Sequence, residues 1–171
     1  MPKTKRKILF LDFDGVLNHG AGPFHPECVR ELNRITDMTG AEIVVHSSWR
    51  YSRTLGELRK ILKVAGVTGD VIGTAPTPDT ERRESGVIVL DEEGFRRFTQ
   101  GMPTKADYER PAAIQRWLDD HLDVTPDDVV ILDDTSFMAH LHGRHIRTRG
   151  DQGLTREQAG WAIRMLQRVT W

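Results

Sequence analysis

The sequence predicts an α/β fold, a mainly parallel central sheet with helices on both faces. Three observations carry that prediction. Short unbroken apolar runs at Ile8–Leu11, Ile43–Val45 and Val129–Leu132 have the length of strands and the continuity of strands buried on both sides. Stretches with apolar residues at helical spacing separate them, the alternation that gives parallel strands with helical crossovers. Each run also stops in polar residues: Asp12 and Asp14 after the first, Ser47 after the second, Asp133 and Asp134 after the third. Ligands of such sheets bind beyond the carboxyl ends of the strands. These residues, far apart in sequence, are therefore predicted to meet at one edge.

Taken in order, Met1–Lys7 is a basic start, with Lys3, Lys5, Arg6 and Lys7, and is predicted to be a solvated tail. The first strand ends in Asp12-Phe13-Asp14-Gly15, where Gly15 lets the backbone turn sharply. Asn18–Pro26 is rich in Gly, His and Pro and reads as a loop, with Pro26 suited to open a helix. Val29, Leu32, Ile35 and Met38 follow at helical spacing, and Gly40 supplies the stop. A second strand covers Ala41–His46 and ends in Ser47-Ser48-Trp49-Arg50. Leu55, Leu58, Ile61, Leu62 and Ala65 mark the next helix, closed by Gly66. A short strand around Val71–Gly73 leads into a Pro-rich, charged loop at Thr74–Glu84. Val87–Leu90 and Phe95–Phe98, joined by turn residues Asp91–Gly94, read as a hairpin in the part that fits the alternation least. Pro111–Leu122 is predicted helical, with Ile114, Trp117 and Leu118 on one face. After the Val129–Leu132 strand, His145–Thr148 reads as a last short strand. Thr155-Arg156-Glu157-Gln158 reads as a capping box that opens a final helix through Ala159, Ala162, Ile163 and Leu166.

A chain of 171 residues is expected to form one domain over 1–171, with a small insertion at 84–104. The 24 Lys and Arg nearly balance the 25 Asp and Glu, and a formal charge of -1 gives no general pull toward nucleic acid or an anionic membrane. Cys28 is the single cysteine, which excludes an intrachain disulfide and a cysteine-based zinc site. The first apolar run meets Asp12 too soon for a signal peptide, and no stretch is long enough to span a bilayer. A cytoplasmic location, with no membrane partner, is the resulting expectation.

The chemistry lies in the carboxylates. A single Asp after a strand is usually a cap or turn residue. Asp12, Asp14, Asp133 and Asp134 together would place four acidic groups in one pocket, where like charges repel unless a cation sits among them. Hard cations prefer carboxylate oxygens, so Mg2+ is the expected cofactor, and no His-rich or Cys-rich set argues for zinc. A carboxylate can attack phosphorus to give an aspartyl-phosphate, and a neighbouring Asp can protonate the leaving oxygen and then activate water. Ser47 and Ser48 follow the second strand. Arg50 has the planar fork that suits bidentate phosphate contact. His19, His25, His46, His140, His142 and His145 read as loop or core residues. Trp49, Trp117, Trp161 and Trp171 read as packing residues, although Trp49 lies beside the predicted site.

The stretch Asp12-Phe13-Asp14-Gly15-Val16-Leu17 resembles the first motif of the haloacid dehalogenase (HAD) superfamily, most of whose members are phosphatases. The resemblance implies a Rossmann-like HAD fold. It makes Asp12 the nucleophile, Asp14 the acid/base, and the Asp14 backbone carbonyl a metal ligand. The second carboxylate, Asp14, speaks against attack on carbon. Ser47 matches the second motif, which hydrogen-bonds the phosphoryl group. The third motif is a Lys or Arg, and both Lys105 and Arg110 stand in the right part of the chain, with a slight preference for Lys105. Asp133 and Asp134, after Val129-Val130-Ile131-Leu132, match the fourth, acidic motif. The implied metal ligands are thus Asp12, Asp14, Asp133 and Asp134. The candidate substrate-binding residues are Ser47, Ser48 and Arg50.

Between Asp14 and Ser47 there is room for a loop and one helix, so a minimal cap and an open site are expected. The wording from Ile43 to Arg50, the late Asp-Asp strand, and Gly153-Leu154-Thr155 before the last helix look like the small HAD domains of RNA-repair proteins. The second-strand stretch also resembles the phosphatase domain of polynucleotide kinase-phosphatases. The implied partner is a phosphate monoester, with nucleic-acid ends, above all a 3′-phosphate, as the favoured class. Lys3, Lys5, Arg6, Lys7, Arg82, Arg83, Arg144, Arg147 and Arg149 are the basic residues expected to guide such a strand. The alternatives are a small-molecule (nucleotide or sugar) phosphatase, a phosphotransferase that uses another acceptor, and a catalytically idle binding module that keeps the fold.

Overall fold

The computed structural model describes residues 5–77 and 105–168, with the backbone alone for 105–108. Strands β1 (Ile8–Leu11), β2 (Glu42–Val45), β3 (Val71–Thr74), β4 (Val129–Asp133) and β5 (His145–Arg147) pair in one all-parallel sheet, in the order β3-β2-β1-β4-β5. Leu11 is in register with Val45 on one side and with Leu132 on the other. The three strands that end in polar residues therefore stop in line. The chain winds outward from β1 through β2 to β3, then crosses back to the far side of β1 at β4. That reversal opens a crevice at the carboxyl ends of β1 and β4, where ligands of doubly wound sheets bind.

Helices α1 (Pro26–Thr39), α2 (Leu55–Val64), α3 (Lys105–Asp119) and α4 (Arg156–Gln167) cover the sheet. Strand alternation decides which residue meets which helix. Leu9, Leu11, Ile43, Val45, Val130 and Leu132 face α1, α2 and α4 in one buried layer. Ile8, Phe10, Val44, Val129 and Ile131 face α3, through Ile114, Trp117 and Leu118, in a second. Burying such a side chain stabilises the fold by about 1.5–3 kcal/mol relative to exposure. That is why the strands read as continuous apolar runs rather than alternating ones. Helix α1 opens on Pro26 and closes on Gly40, whose φ of 68° is the left-handed conformation of a helix stop. Thr54 and Thr155 each close a capping box at the start of α2 and α4.

The ends of α3 differ from the sequence expectation. The helix begins at Lys105, so Pro111 lies inside it rather than at its start. Proline has no N–H to give the preceding turn. The loss is local, and the buried stripe of Ile114, Trp117 and Leu118 holds the rest of the helix to the sheet. The helix ends at Asp119, and Leu122 is exposed beyond it. Met38, at the end of the α1 stripe, is exposed as well. The hairpin expected from Val87–Leu90 and Phe95–Phe98, and the insertion at 84–104, lie outside the described residues. Among the described residues no helix is long and apolar enough to cross a membrane.

Candidate active site

One residue past the last ladder row, Asp12 and His46 continue the sheet alongside Asp133. The Asp12 N–H donates to Leu132 O (3.0 Å) and the His46 N–H to Leu11 O (3.0 Å). Alternation turns all three side chains toward α3, the face of Ile8, Phe10 and Val44. Helix α3 delivers Arg110 to the same place. Arg110 Nη1 donates to Asp12 Oδ2 (2.7 Å) and to Asp133 Oδ2 (2.6 Å). Asp133 Oδ2 also meets His46 Nε2 at 2.6 Å, and its Oδ1 accepts from the Thr135 N–H (2.8 Å). Asp12 Oδ1 accepts from the Phe13 N–H (2.8 Å). Asp12, His46 and Asp133 are fully buried, whereas Arg110 keeps part of its side chain in solvent.

Charge sets the protonation states. Burial works against ionising Asp133, yet His46 and Arg110 outweigh it and hold its pKa well below the usual carboxylate value. Burial likewise works against the charge on Arg110, and Asp12 and Asp133 overcome it, so the guanidinium is held more firmly protonated than usual. Asp134, half-buried on the other side of the strand end, has its pKa pushed up by burial and by the nearby charges of Asp12 and Asp133.

Carboxylate oxygens of Asp12, Asp133 and Asp134 lie within 4.8 Å of one another. Such a set is hard, anionic and close-spaced, which fits a divalent cation of the Mg2+ class. Asp14 stands apart from it, so the expected pocket of four carboxylates is a trio. The reason is that both Asp14 oxygens are already held. Oδ1 accepts from Asn18 Nδ2 (2.8 Å) and Oδ2 from Trp49 Nε1 (2.9 Å). Gly15 makes the turn between Asp14 and Asn18 at φ 75°, and its N–H donates to Asn18 Oδ1 (2.9 Å).

Residues 8–159 match the family described as the HAD domain in Swiss Army Knife RNA repair proteins. The chain belongs to this HAD family. Neither the curated proteins nor the solved structures give a significant match. The matched span runs from the first residue of β1 into α4, so every strand of the HAD domain and all of its clustered acids fall within it.

In this HAD domain Ser47 is buried at the end of β2, and its hydroxyl accepts from the Trp49 N–H (3.4 Å) to cap the short 3-10 turn Ser48–Tyr51. Ser48 is exposed at that turn. Arg50 is not an open phosphate fork. It is buried, and it donates to the carbonyls of His46 and Ser47 (the latter at 3.0 Å), with its guanidinium 4.7 Å from the Tyr51 ring centre. Its place is to hold the loop that carries Ser47 and Trp49. Lys105 is the first residue of α3, and its side chain lies outside the described residues. Sequence reasoning took His46 for a loop or core residue and Trp49 for a packing residue beside the site, and it passed over the role of Asn18. The signal for His46 was its parity with Val44, which puts it on the same face as Asp12 and Asp133. For Asn18 and Trp49 no local pattern announced the contact with Asp14.

Proposed function

We propose that this chain is a Mg2+-dependent phosphomonoesterase that works through an aspartyl-phosphate on Asp12. The observation that carries the reading is the Arg110 bridge between Asp12 and Asp133 at the switch point of the sheet. A cation aimed at two carboxylates there is suited to meet the charge of a phosphoryl group. Membership of a HAD family described by RNA repair supports a HAD-type phosphohydrolase and, with it, nucleic-acid ends as substrate.

The carboxylates of Asp12, Asp133 and Asp134 would hold the cation, joined in the family pattern by the Asp14 carbonyl. Once bound, the cation would neutralise phosphate charge and polarise a phosphoryl oxygen. Asp12 attacks phosphorus, a new O–P bond forms, and the ester P–O bond breaks. Asp14 gives its proton to the departing oxygen, then takes one from a water molecule. That water attacks the acyl phosphate, which frees inorganic phosphate and restores Asp12. Arg110 balances the charge on Asp12 throughout, in the role of the third motif. Asn18 and Trp49 hold Asp14 before the substrate arrives. Ser47, just beyond the end of β2, would hydrogen-bond the phosphoryl oxygens, as the second motif does in the family pattern.

The test is release of phosphate from a generic aryl phosphate. Turnover is expected with Mg2+, to vanish with chelator, and to return when Mg2+ is restored. Asp12→Asn is expected to lower kcat by about 10³-fold or more while still melting cooperatively. Substantial turnover by a folded Asp12→Asn protein would overturn the assignment.

A further inference from the structure

His46 is fully buried beside the acidic trio, and the steps above give it no part. Its ring packs edge-on against Phe10, with centroids 6.4 Å apart. Nε2 lies 2.6 Å from Asp133 Oδ2. Among the described residues Nδ1 meets no hydrogen-bond partner. The Nε2–H tautomer fits both facts, since it donates to the carboxylate and leaves Nδ1 as a bare acceptor rather than an unpaired N–H. As packing alone this is a poor choice. A hydrophobic side chain would fill the same space without an orphaned nitrogen.

The Asp133 carboxylate has two other contacts to compare. The Thr135 N–H fixes Oδ1. Arg110 fixes Oδ2, but from a long, part-exposed side chain that also pairs with Asp12. An arriving cation and Arg110 are both positive and compete for the Asp133 carboxylate. His46 is walled in by the core and approaches from the buried side. It is the contact on Oδ2 that can persist when Arg110 gives way.

We infer that His46 is a positioning residue that holds the Asp133 carboxylate in its cation-binding orientation, an inference that rests on the phosphohydrolase reading above. Outer hydrogen bonds of this kind orient metal-binding groups, and their loss typically weakens metal affinity by about 10–100-fold. Calorimetric titration of the metal-stripped full chain with Mg2+, repeated with Mn2+ followed by electron paramagnetic resonance, reads the Kd without any need for turnover. His46→Leu is expected to weaken Kd by that factor, and His46→Gln, whose amide nitrogen donates from a similar place, to recover most of it. An unchanged Kd in a folded His46→Leu protein overturns the inference, as does a His46→Gln protein no better than His46→Leu. Should His46→Leu fail to fold, nitrogen-15 resonance of the wild-type imidazole decides. A protonated Nε2 with bare Nδ1 is expected, and a bare Nε2 overturns the inference. A wild type that binds neither ion would fail the phosphohydrolase reading together with the inference. A wild type that binds Mg2+ beside an unaffected His46→Leu protein would fail the inference alone.

Discussion

At the scale of the residue, Arg110 decides how the acidic edge survives without collapse. Two buried carboxylates that share an edge repel strongly, and one guanidinium that touches both removes the conflict. The same contact gives Arg110 two opposed effects. In the proposed phosphohydrolase it would compete with a cation for Asp133, and it would supply positive charge where a phosphoryl group gathers negative charge. Arg110→Ala separates them. It is expected to lower kcat/KM for an aryl phosphate by about 10²–10³-fold, the usual loss when one aimed donor is removed. Mg2+ binding, read by calorimetry, is expected to stay as tight or become tighter, because a competing positive charge has gone. Lys105→Ala is the comparison and is expected to cost far less. If Arg110→Ala leaves kcat/KM at saturating Mg2+ unchanged, Arg110 does not act on the phosphoryl group.

At the scale of the element, the site is a consequence of strand parity. Residues 8, 10 and 12, then 44 and 46, then 129, 131 and 133 share a face, and α3 lies on that face. The apolar runs, the helix stops and the acidic strand ends were all legible because each is a local pattern of period two or of helical spacing. What was not legible depends on tertiary contacts and on which way a side chain turns. Nothing near Trp49 marks it as the partner of Asp14, 35 residues away in the chain. Nothing near Arg50 says that its fork turns inward to carbonyls of its own loop. The start of α3 was misplaced because proline is commonest in a first turn, and here tertiary packing carries the helix past it. The turn at Gly15 is a local feature with a distant consequence. Its φ is 75°, and a β-carbon there would land on the Asp134 carboxylate. Gly40 has a similar φ of 68° with open space around it. Both Gly→Ala changes are expected to cost about 1–2 kcal/mol from the left-handed backbone, a fall in Tm of several degrees. Only Gly15→Ala is expected to lose phosphatase activity and Mg2+ affinity as well. Equal activity in the two variants at equal Mg2+ would show that the Gly15 turn plays no part in placing Asp134.

At the scale of the whole molecule, the question is how a chain of formal charge -1 would engage a nucleic-acid end. Much of the basic set expected to guide a strand is committed within the fold. Lys5 lies 3.9 Å from Asp128, Arg6 pairs with Glu42 (2.8 Å) and Asp123 (3.2 Å), and Arg149 pairs with Asp151 (2.9 Å). Arg144 donates to the carbonyls of Val129 (2.7 Å) and Asp127 (2.9 Å). Lys3, Arg82 and Arg83 lie outside the described residues. A long electrostatic track is therefore a poor expectation, and recognition would rest on the terminal nucleotide. Trp49 packs against Phe13 and Phe24 beside Asp14, with the exposed Arg53 guanidinium 4.5 Å from its ring centre, and a terminal base would stack on that guanidinium plane. One or two phosphate contacts on a single strand predict that log kcat/KM falls with log salt at a slope of only about -0.7 to -1.4. A 3′-phosphorylated oligonucleotide is expected to exceed a sugar phosphate in kcat/KM at low salt, with a mononucleotide 3′-phosphate close behind it, since both would offer a terminal base for stacking. Arg53→Ala is expected to raise KM for the two nucleotide substrates and leave kcat, and the sugar phosphate, unchanged. Equal kcat/KM on all three substrates, with no salt slope, would leave a generic phosphatase. A slope of -4 or steeper would instead mean that a basic track exists and that the terminal nucleotide is not the main contact.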